Sequence, residues 1–311
     1  MREFLLRLSE NKRLAPFIMH NGVSRRVARR FVAGETLDDA IAAAAEVNRA
    51  FQLASLDLLG ENVSDEAGAR SAAAGYRAMF DRIAQERLDA NVSLKLTQLG
   101  LDLSEELCQE LLEGIVAHAS ALGNFVRIDM EGSPYTQRTV EITRRVRAEY
   151  SAVGTVMQAY LYRAEQDVQD LLAAGCRIRL CKGAYQEPPD VAFPKKSDVD
   201  ANYVKLMKLL LPSGIYHGIA THDPAMIQAT KDFAREQGIK SDKFEFQMLY
   251  GIRTDLQAQL VGDGYRLRVY IPFGTDWFPY FMRRLAERPA NISFFLRNLL
   301  PRSTNGRKSK N

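Results

Sequence analysis

The feature that most constrains folding is the regular alternation of two kinds of segment. Stretches rich in β-branched or alternating residues, at 16–19, 92–96, 125–130, 155–160, 177–182, 215–220, 244–248 and 267–271, are separated by segments with helical periodicity. Ser104 ahead of Glu105-Glu106 and Asp223 ahead of Pro224 supply helix starts, and Gly238 supplies a stop. Strands joined by helical crossovers run parallel, because the crossover returns the chain to the end where it began. Eight such units in 311 residues predict an α/β chain, a distorted (βα)₈ TIM barrel with additional N-terminal helices. The alanine-rich span 36–85 is too long for an ordinary connection and is expected to form a helical insertion beside the barrel. A single domain over 1–300 and a disordered basic tail over 301–311 complete the expected organisation.

Several function classes drop out early. With 46% hydrophobic and 26% charged residues the composition is that of a globular protein. No stretch reaches the ~20 uninterrupted apolar residues that cross a bilayer, and Met1-Arg2-Glu3-Phe4 does not open a secretory leader, so the expected location is cytoplasmic. Cys108, Cys176 and Cys181 form no C-x-x-C, and the four histidines form no H-E-x-x-H, so neither a disulfide framework nor a metal site is expected. Arg25-Arg26 and Arg29-Arg30 recur at a spacing of four, as on a solvated helix face, and no nucleic-acid module surrounds them. With Arg307-Lys308 they suit an anionic lipid surface better, so peripheral contact with the inner face of the membrane is expected.

Buried barrel strands should read almost continuously apolar, and several here do not. Polar residues alternate with aliphatic ones in Ser93-Leu94-Lys95-Leu96-Thr97, Ile128-Asp129-Met130, Arg177-Ile178-Arg179-Leu180 and Arg268-Val269-Tyr270-Ile271, which predicts that Lys95, Asp129, Arg179 and Tyr270 point inward. Buried charges need partners, so these residues form either a functional site or a structural ion-pair network. The strand end Arg179 to Tyr185 carries Gly183, where backbone could approach a ligand, and Lys182, which could meet an anion. At Ala220-Thr221-His222-Asp223-Pro224 a hydroxyl and an imidazole stand at a helix start, a place for an anion or simply for a turn residue. Near the end, Arg283 and Arg284 adjoin on an aromatic-rich helix, with Glu287 one turn on. They fit a carboxylate, or a solvated face. No G-x-G-x-x-G follows a strand and no P-loop is present.

Taken in order, Ser93 to Leu96, Arg127-Ile128-Asp129, Gln158-Ala159-Tyr160, Arg179 to Tyr185, Ala220 to Asp223, Phe244 to Gln247 and Arg283-Arg284-Leu285 resemble the proline dehydrogenase family, in its short monofunctional bacterial form. The resemblance spans about 16–300, without the aldehyde dehydrogenase domain or the DNA-binding segment of the bifunctional relatives. It implies oxidation of L-proline to Δ1-pyrroline-5-carboxylate on FAD, with a membrane quinone as electron acceptor and a separate pyrroline-5-carboxylate dehydrogenase as possible partner. Carried over by position, it puts Arg179 at flavin N5, Gln158 at the isoalloxazine, and Met130, Lys182, Gly183, Ala184, Thr221 and His222 along the cofactor, with Lys195 or Lys196 at its phosphates. Lys95, Arg283 and Arg284 are implied at the substrate carboxylate, and Tyr185, Leu249, Tyr270 and Glu287 around its ring. Asp129, Arg179 and Tyr270 are the implied catalytic wall. Two other functions fit parts of the pattern: a Schiff-base aldolase or lyase using Lys95 or Lys182, and a non-catalytic carboxylate-binding barrel.

Overall fold

The computed structural model describes residues 28–60 and 63–287, without the side chains of 283 and 285–287. Eight strands, β1 (Leu53–Leu58), β2 (Ala90–Leu94), β3 (Val126–Ile128), β4 (Val153–Gln158), β5 (Arg177–Cys181), β6 (His217–Ala220), β7 (Phe244–Leu249) and β8 (Leu267–Phe273), close into a barrel in sequence order. All neighbours are parallel, and six residue pairs from Leu53↔Arg268 to Leu58↔Phe273 join β1 to β8 at the seam. Helices α1 (Leu37–Arg49), α2 (Glu66–Gln85), α3 (Glu105–Ala121), α4 (Ser133–Glu149), α5 (Ala164–Ala173), α6 (Lys196–Leu210), α7 (Pro224–Glu236), α8 (Thr254–Gly262) and α9 (Trp277–Glu287) alternate with the strands, and short 3₁₀ turns span Leu96–Leu99 and Leu211–Ser213.

The helix signals act as local chemistry predicts. Ser104 Oγ accepts from the Leu107 N–H at 3.2 Å, and Asp223 Oδ1 from the Ala225 N–H at 3.0 Å with Pro224 at the first helical position. Gly238, at φ 64°, follows the end of α7 in the left-handed region that favours glycine. Thr36 starts α1 with a reciprocal capping box: it accepts from the Asp39 N–H while the Asp39 carboxylate takes the Thr36 N–H.

One expectation is corrected. The span 36–85 is not a helical insertion, because α1 and α2 enclose β1, the first barrel strand. Leu53-Ala54-Ser55-Leu56-Asp57-Leu58 has no β-branched residue, so its local preference gives no strand signal; pairing with β2 and β8 decides its state. The other seven expected strands are present with ends shifted by a few residues, whereas 16–19 and the tail 301–311 lie outside the described residues.

Strand faces sort by polarity. Leu56, Val92, Leu94, Ile128, Ile178, Leu180, Phe246, Val269 and Ile271 are fully buried. They belong to the aliphatic layer beneath the helices, where removal from water stabilises at about 25 cal/mol per Å². The alternate residues point into the barrel and are polar. Arg179 on β5 reaches Asp129 beyond β3, Ser93 on β2 and Gln247 on β7, contacts open only to inward side chains. Gly218 on β6 makes room for this arrangement, since a Cβ there would lie 2.3 Å from Gln247 Nε2.

Candidate active site

At the C-terminal mouth of the barrel lies a cavity of about 410 Å³. In parallel barrels the loops after the strands shape this end, and the strands hold its floor rigid. The floor is a hydrogen-bonded charge network. Arg179 Nη1 donates to Asp129 Oδ1 at 2.7 Å and Nη2 to Ser93 Oγ at 3.1 Å, while Nε donates to Gln247 Oε1. Tyr270 donates its hydroxyl to Asp129 Oδ2 at 2.6 Å, and its ring lies 5.1 Å from the Arg179 guanidinium carbon. Burial and the Asp129 carboxylate push the Tyr270 phenol well above its ordinary pKa, so it remains a donor across the working range.

A second pair stands beside the first. Lys95 Nζ lies 2.9 Å from Asp57 Oδ1, with side chains 8% and 2% exposed. A third pair, at the other end of the barrel interior, joins Arg268 Nε and Nη2 to Glu245 at 2.6 and 3.1 Å and does not line the cavity.

The upper wall is built from loops. Gly183, at φ 112°, packs its backbone against the Tyr160 ring so closely that a Cβ would sit 2.6 Å from it, which accounts for glycine at that point. Ala184 and Tyr185 follow it along the wall. Lys182 lies 2.5 Å from Asp200 Oδ1 and 2.7 Å from Asp223 Oδ2, and Lys196 shares both aspartates from the outer rim. Gln158 donates from Nε2 to the carbonyls of Met130 (3.3 Å) and Glu131 (3.4 Å), whereas its buried Oε1 has no partner. Thr221 Oγ1 accepts from the Asp223 N–H at 3.0 Å, and His222 Nε2 from the Leu249 N–H at 2.9 Å, so both are turn-forming as well as cavity-lining residues. Helix α9 crosses the mouth on a base of buried Trp277, Phe278 and Phe281; Tyr280 and Arg284, four apart and hence on one face, line the cavity.

Lys95, Asp129, Met130, Gln158, Arg179, Lys182, Gly183, Ala184, Tyr185, Thr221, His222, Leu249, Tyr270 and Arg284, all singled out in the sequence, thus meet around one cavity. Lys196 stands at its rim, and the side chains of Arg283 and Glu287 lie outside the described residues. Sequence reasoning missed Asp57, hidden in the unrecognised β1, and gave no role to Gln247, Asp200 or Tyr280. The alternation Ser55, Asp57 on a short apolar run was the available signal for the first. Each of the two lysines that could serve a Schiff-base mechanism is held in an ion pair. Among the described residues no group of His, Cys, Asp and Glu could hold a metal ion.

Comparison with known proteins agrees with this architecture. The family model described as proline dehydrogenase matches residues 40–297. Proline dehydrogenase 1 of Bacillus subtilis (strain 168) is 45% identical over 300 residues, covering 96% of this chain and 99% of the relative. Proline dehydrogenase of Deinococcus radiodurans is 42% identical over 279 residues, 88% and 90% of the two chains. Among solved structures, proline utilization A from Bdellovibrio bacteriovorus, inactivated by N-propargylglycine, superposes with a TM-score of 0.80 at 26% identity. That alignment covers 85% of this chain and 33% of the other, so the chain spans about a third of it. A match running from α1 past α9, with relatives alike over nearly their whole length, leaves one assignment: the chain belongs to the proline dehydrogenase family.

Proposed function

We propose that the chain oxidises L-proline to Δ1-pyrroline-5-carboxylate, the first step of proline catabolism, using FAD bound at the barrel mouth and passing the electrons to a membrane quinone. The observation that carries this reading is the hydrogen-bonded set Arg179, Asp129 and Tyr270 on the floor of a cavity that also holds Lys95 and Arg284, in a chain of this family. The fit to a flavin is supported by Gln158, whose buried, unpartnered Oε1 on the cavity wall is an acceptor suited to a ring N–H. Met130, Gln158, Arg179, Lys182, Gly183, Ala184, Thr221 and His222 would hold the cofactor, with Lys196 toward its phosphates.

FAD, when bound, supplies the hydride acceptor. Arg284 and Lys95 bind the proline carboxylate, with Arg283 assigned to the same end, while Tyr185, Leu249, Tyr270 and Glu287 enclose the ring. The C–H bond beside the ring nitrogen breaks with its electron pair, and the nitrogen lone pair forms the C=N bond. The substrate must therefore react as the neutral amine. Arg179, fixed by Asp129, Gln247 and Ser93, presents a preorganised positive charge where negative charge develops, so no reorganisation is needed during the reaction. Asp129 and Tyr270 hold that charge in place.

A quinone acceptor calls for approach to a membrane surface; no described helix is long and apolar enough to cross one. The product suits a separate pyrroline-5-carboxylate dehydrogenase. An absorption spectrum recorded before and after anaerobic addition of proline tests the proposal. A flavin spectrum that bleaches is the expected result, whereas a colourless protein, or a spectrum unmoved by proline, overturns it.

A further inference from the structure

A cavity that receives a carboxylate ought to exclude other carboxylates, yet Asp57 lines it and is 1% exposed. Burying that charge is costly, and burial indeed pushes its carboxyl above the ordinary range despite the Lys95 ammonium beside it. Such a group persists where it fixes something else. The register of β1 on β2 sets Asp57 opposite Ser93, so Lys95, two residues on and on the same face, carries its ammonium across the end of the pair to Asp57 Oδ1 at 2.9 Å. A lysine has four flexible side-chain bonds, and without an anchor its ammonium has no defined position.

Asp57 also sorts charges. Asp129 is close enough to Asp57 for the two carboxylates to interact, but in the folded chain it serves Arg179 at 2.7 Å and Tyr270 at 2.6 Å. Two carboxylates and two cations are divided into two pairs, one from β1 and β2, the other from β3 and β5. Without Asp57, the Lys95 ammonium loses its partner at 2.9 Å, and the group proposed to meet substrate is no longer held apart from the carboxylate that orients Arg179.

We propose that Asp57 is a positioning residue, which anchors the Lys95 ammonium at the carboxylate end of the cavity and keeps it apart from the Asp129–Arg179 pair. This rests on the reading of Lys95 as a ligand of the proline carboxylate. Steady-state kinetics on the holoenzyme forms of Asp57→Asn, Asp57→Glu, Lys95→Met and the double variant Asp57→Asn/Lys95→Met test it, with flavin content and Tm measured alongside.

Asp57→Asn should raise the KM for proline about 10-fold or more, with kcat within a few-fold of wild type, and Asp57→Glu, which keeps the carboxylate but displaces it by one methylene, should raise it by a smaller factor of about 3. The double variant should be no worse than Lys95→Met alone, because an anchor has no value once its load is gone. Wild-type KM in Asp57→Asn, or multiplicative losses in the double variant, would overturn the proposal. If Asp57→Asn does not accumulate folded, Asp57→Glu decides: one methylene displaces the anchor, so unchanged KM in that variant also overturns it. An unchanged KM in Lys95→Met is a different failure, since it removes lysine from the carboxylate and with it the reading on which the proposal rests.

Discussion

Two arginines inside one barrel allow function and stability to be separated by the same substitution. Arg179→Met removes a guanidinium that is 8% exposed and leaves Asp129 with the Tyr270 hydroxyl at 2.6 Å. Arg268→Met does the equivalent to Glu245, whose carboxylate is 3% exposed and keeps hydrogen bonds from Tyr216 at 3.0 Å and Gln247 at 2.5 Å. Breaking a buried pair from one side costs about 3–5 kcal/mol, which in a domain of this size lowers Tm by about 5–8 °C. Both variants should show that loss by thermal melting.

Only Arg179 lines the cavity, so only its loss should alter chemistry. Removing one preorganised charge-stabilising donor typically slows a reaction by about 100-fold or more, and anaerobic stopped-flow at saturating proline should find flavin reduction slowed to that degree in Arg179→Met. Arg268→Met should remain within about 3-fold of wild type. Wild-type reduction in Arg179→Met, or equal slowing in the two variants, would refute the division of the interior into a reacting layer and a supporting one.

Three further outcomes are expected. His217 accepts the Ile178 N–H on Nδ1 at 3.0 Å and contacts Ser213 Oγ through Nε2 at 3.0 Å, and burial holds its pKa down at about 3. Because the folded value lies below the unfolded one near 6.5, the unfolded chain binds the extra proton between them. The stabilisation is complete above about pH 6.5 and lost as pH falls toward 3, at up to ~1.4 kcal/mol per pH unit. Denaturant titrations should show that slope in the wild type and a flatter one in His217→Gln; equal slopes would remove His217 as the source. Gly218→Ala, at a position that does not itself line the cavity, should displace Gln247 and slow flavin reduction severalfold, and an unchanged rate would mean that Gln247 does not help hold Arg179. Arg284→Met should raise the KM for proline about 100-fold while the protein retains its flavin, and loss of flavin at ordinary KM would move Arg284 to the cofactor.

The legible part of the site was the part written by alternation. In the strand carrying Arg179, and in that carrying Tyr270, charged or phenolic residues at every second position announced an inward polar face, because the other face had to be aliphatic to pack under helices. β1 stayed hidden because leucine and alanine fit a helix as well as a strand, and only two distant partners determine its state. Asp57 was hidden with it. Asp200 looked like an ordinary residue of a solvated helix, and the proximity that joins it to Lys182 and Asp223 exists only after the crossover folds back. Gln158 was marked by the family pattern, but its orphaned oxygen is a property of packing that no sequence displays.

The seam between β1 and β8 has a consequence for how the protein is made. Arg268 Nη1 donates to the carbonyl of Ala54 across 214 residues of chain, and the cavity takes Asp57 from one side of that seam and Tyr270 from the other. Translation delivers β1 first of the eight strands and β8 last, so until β8 emerges Leu53–Leu58 has β2 on one side and an open row of backbone donors and acceptors on the other. Contacts of such long separation form slowly and leave the nascent chain exposed to mispairing. A truncated product ending before Tyr270 lacks both the last strand and the phenol on Asp129. Chains that terminate early therefore emerge without a finished site, and catalytic competence arrives together with barrel closure rather than ahead of it.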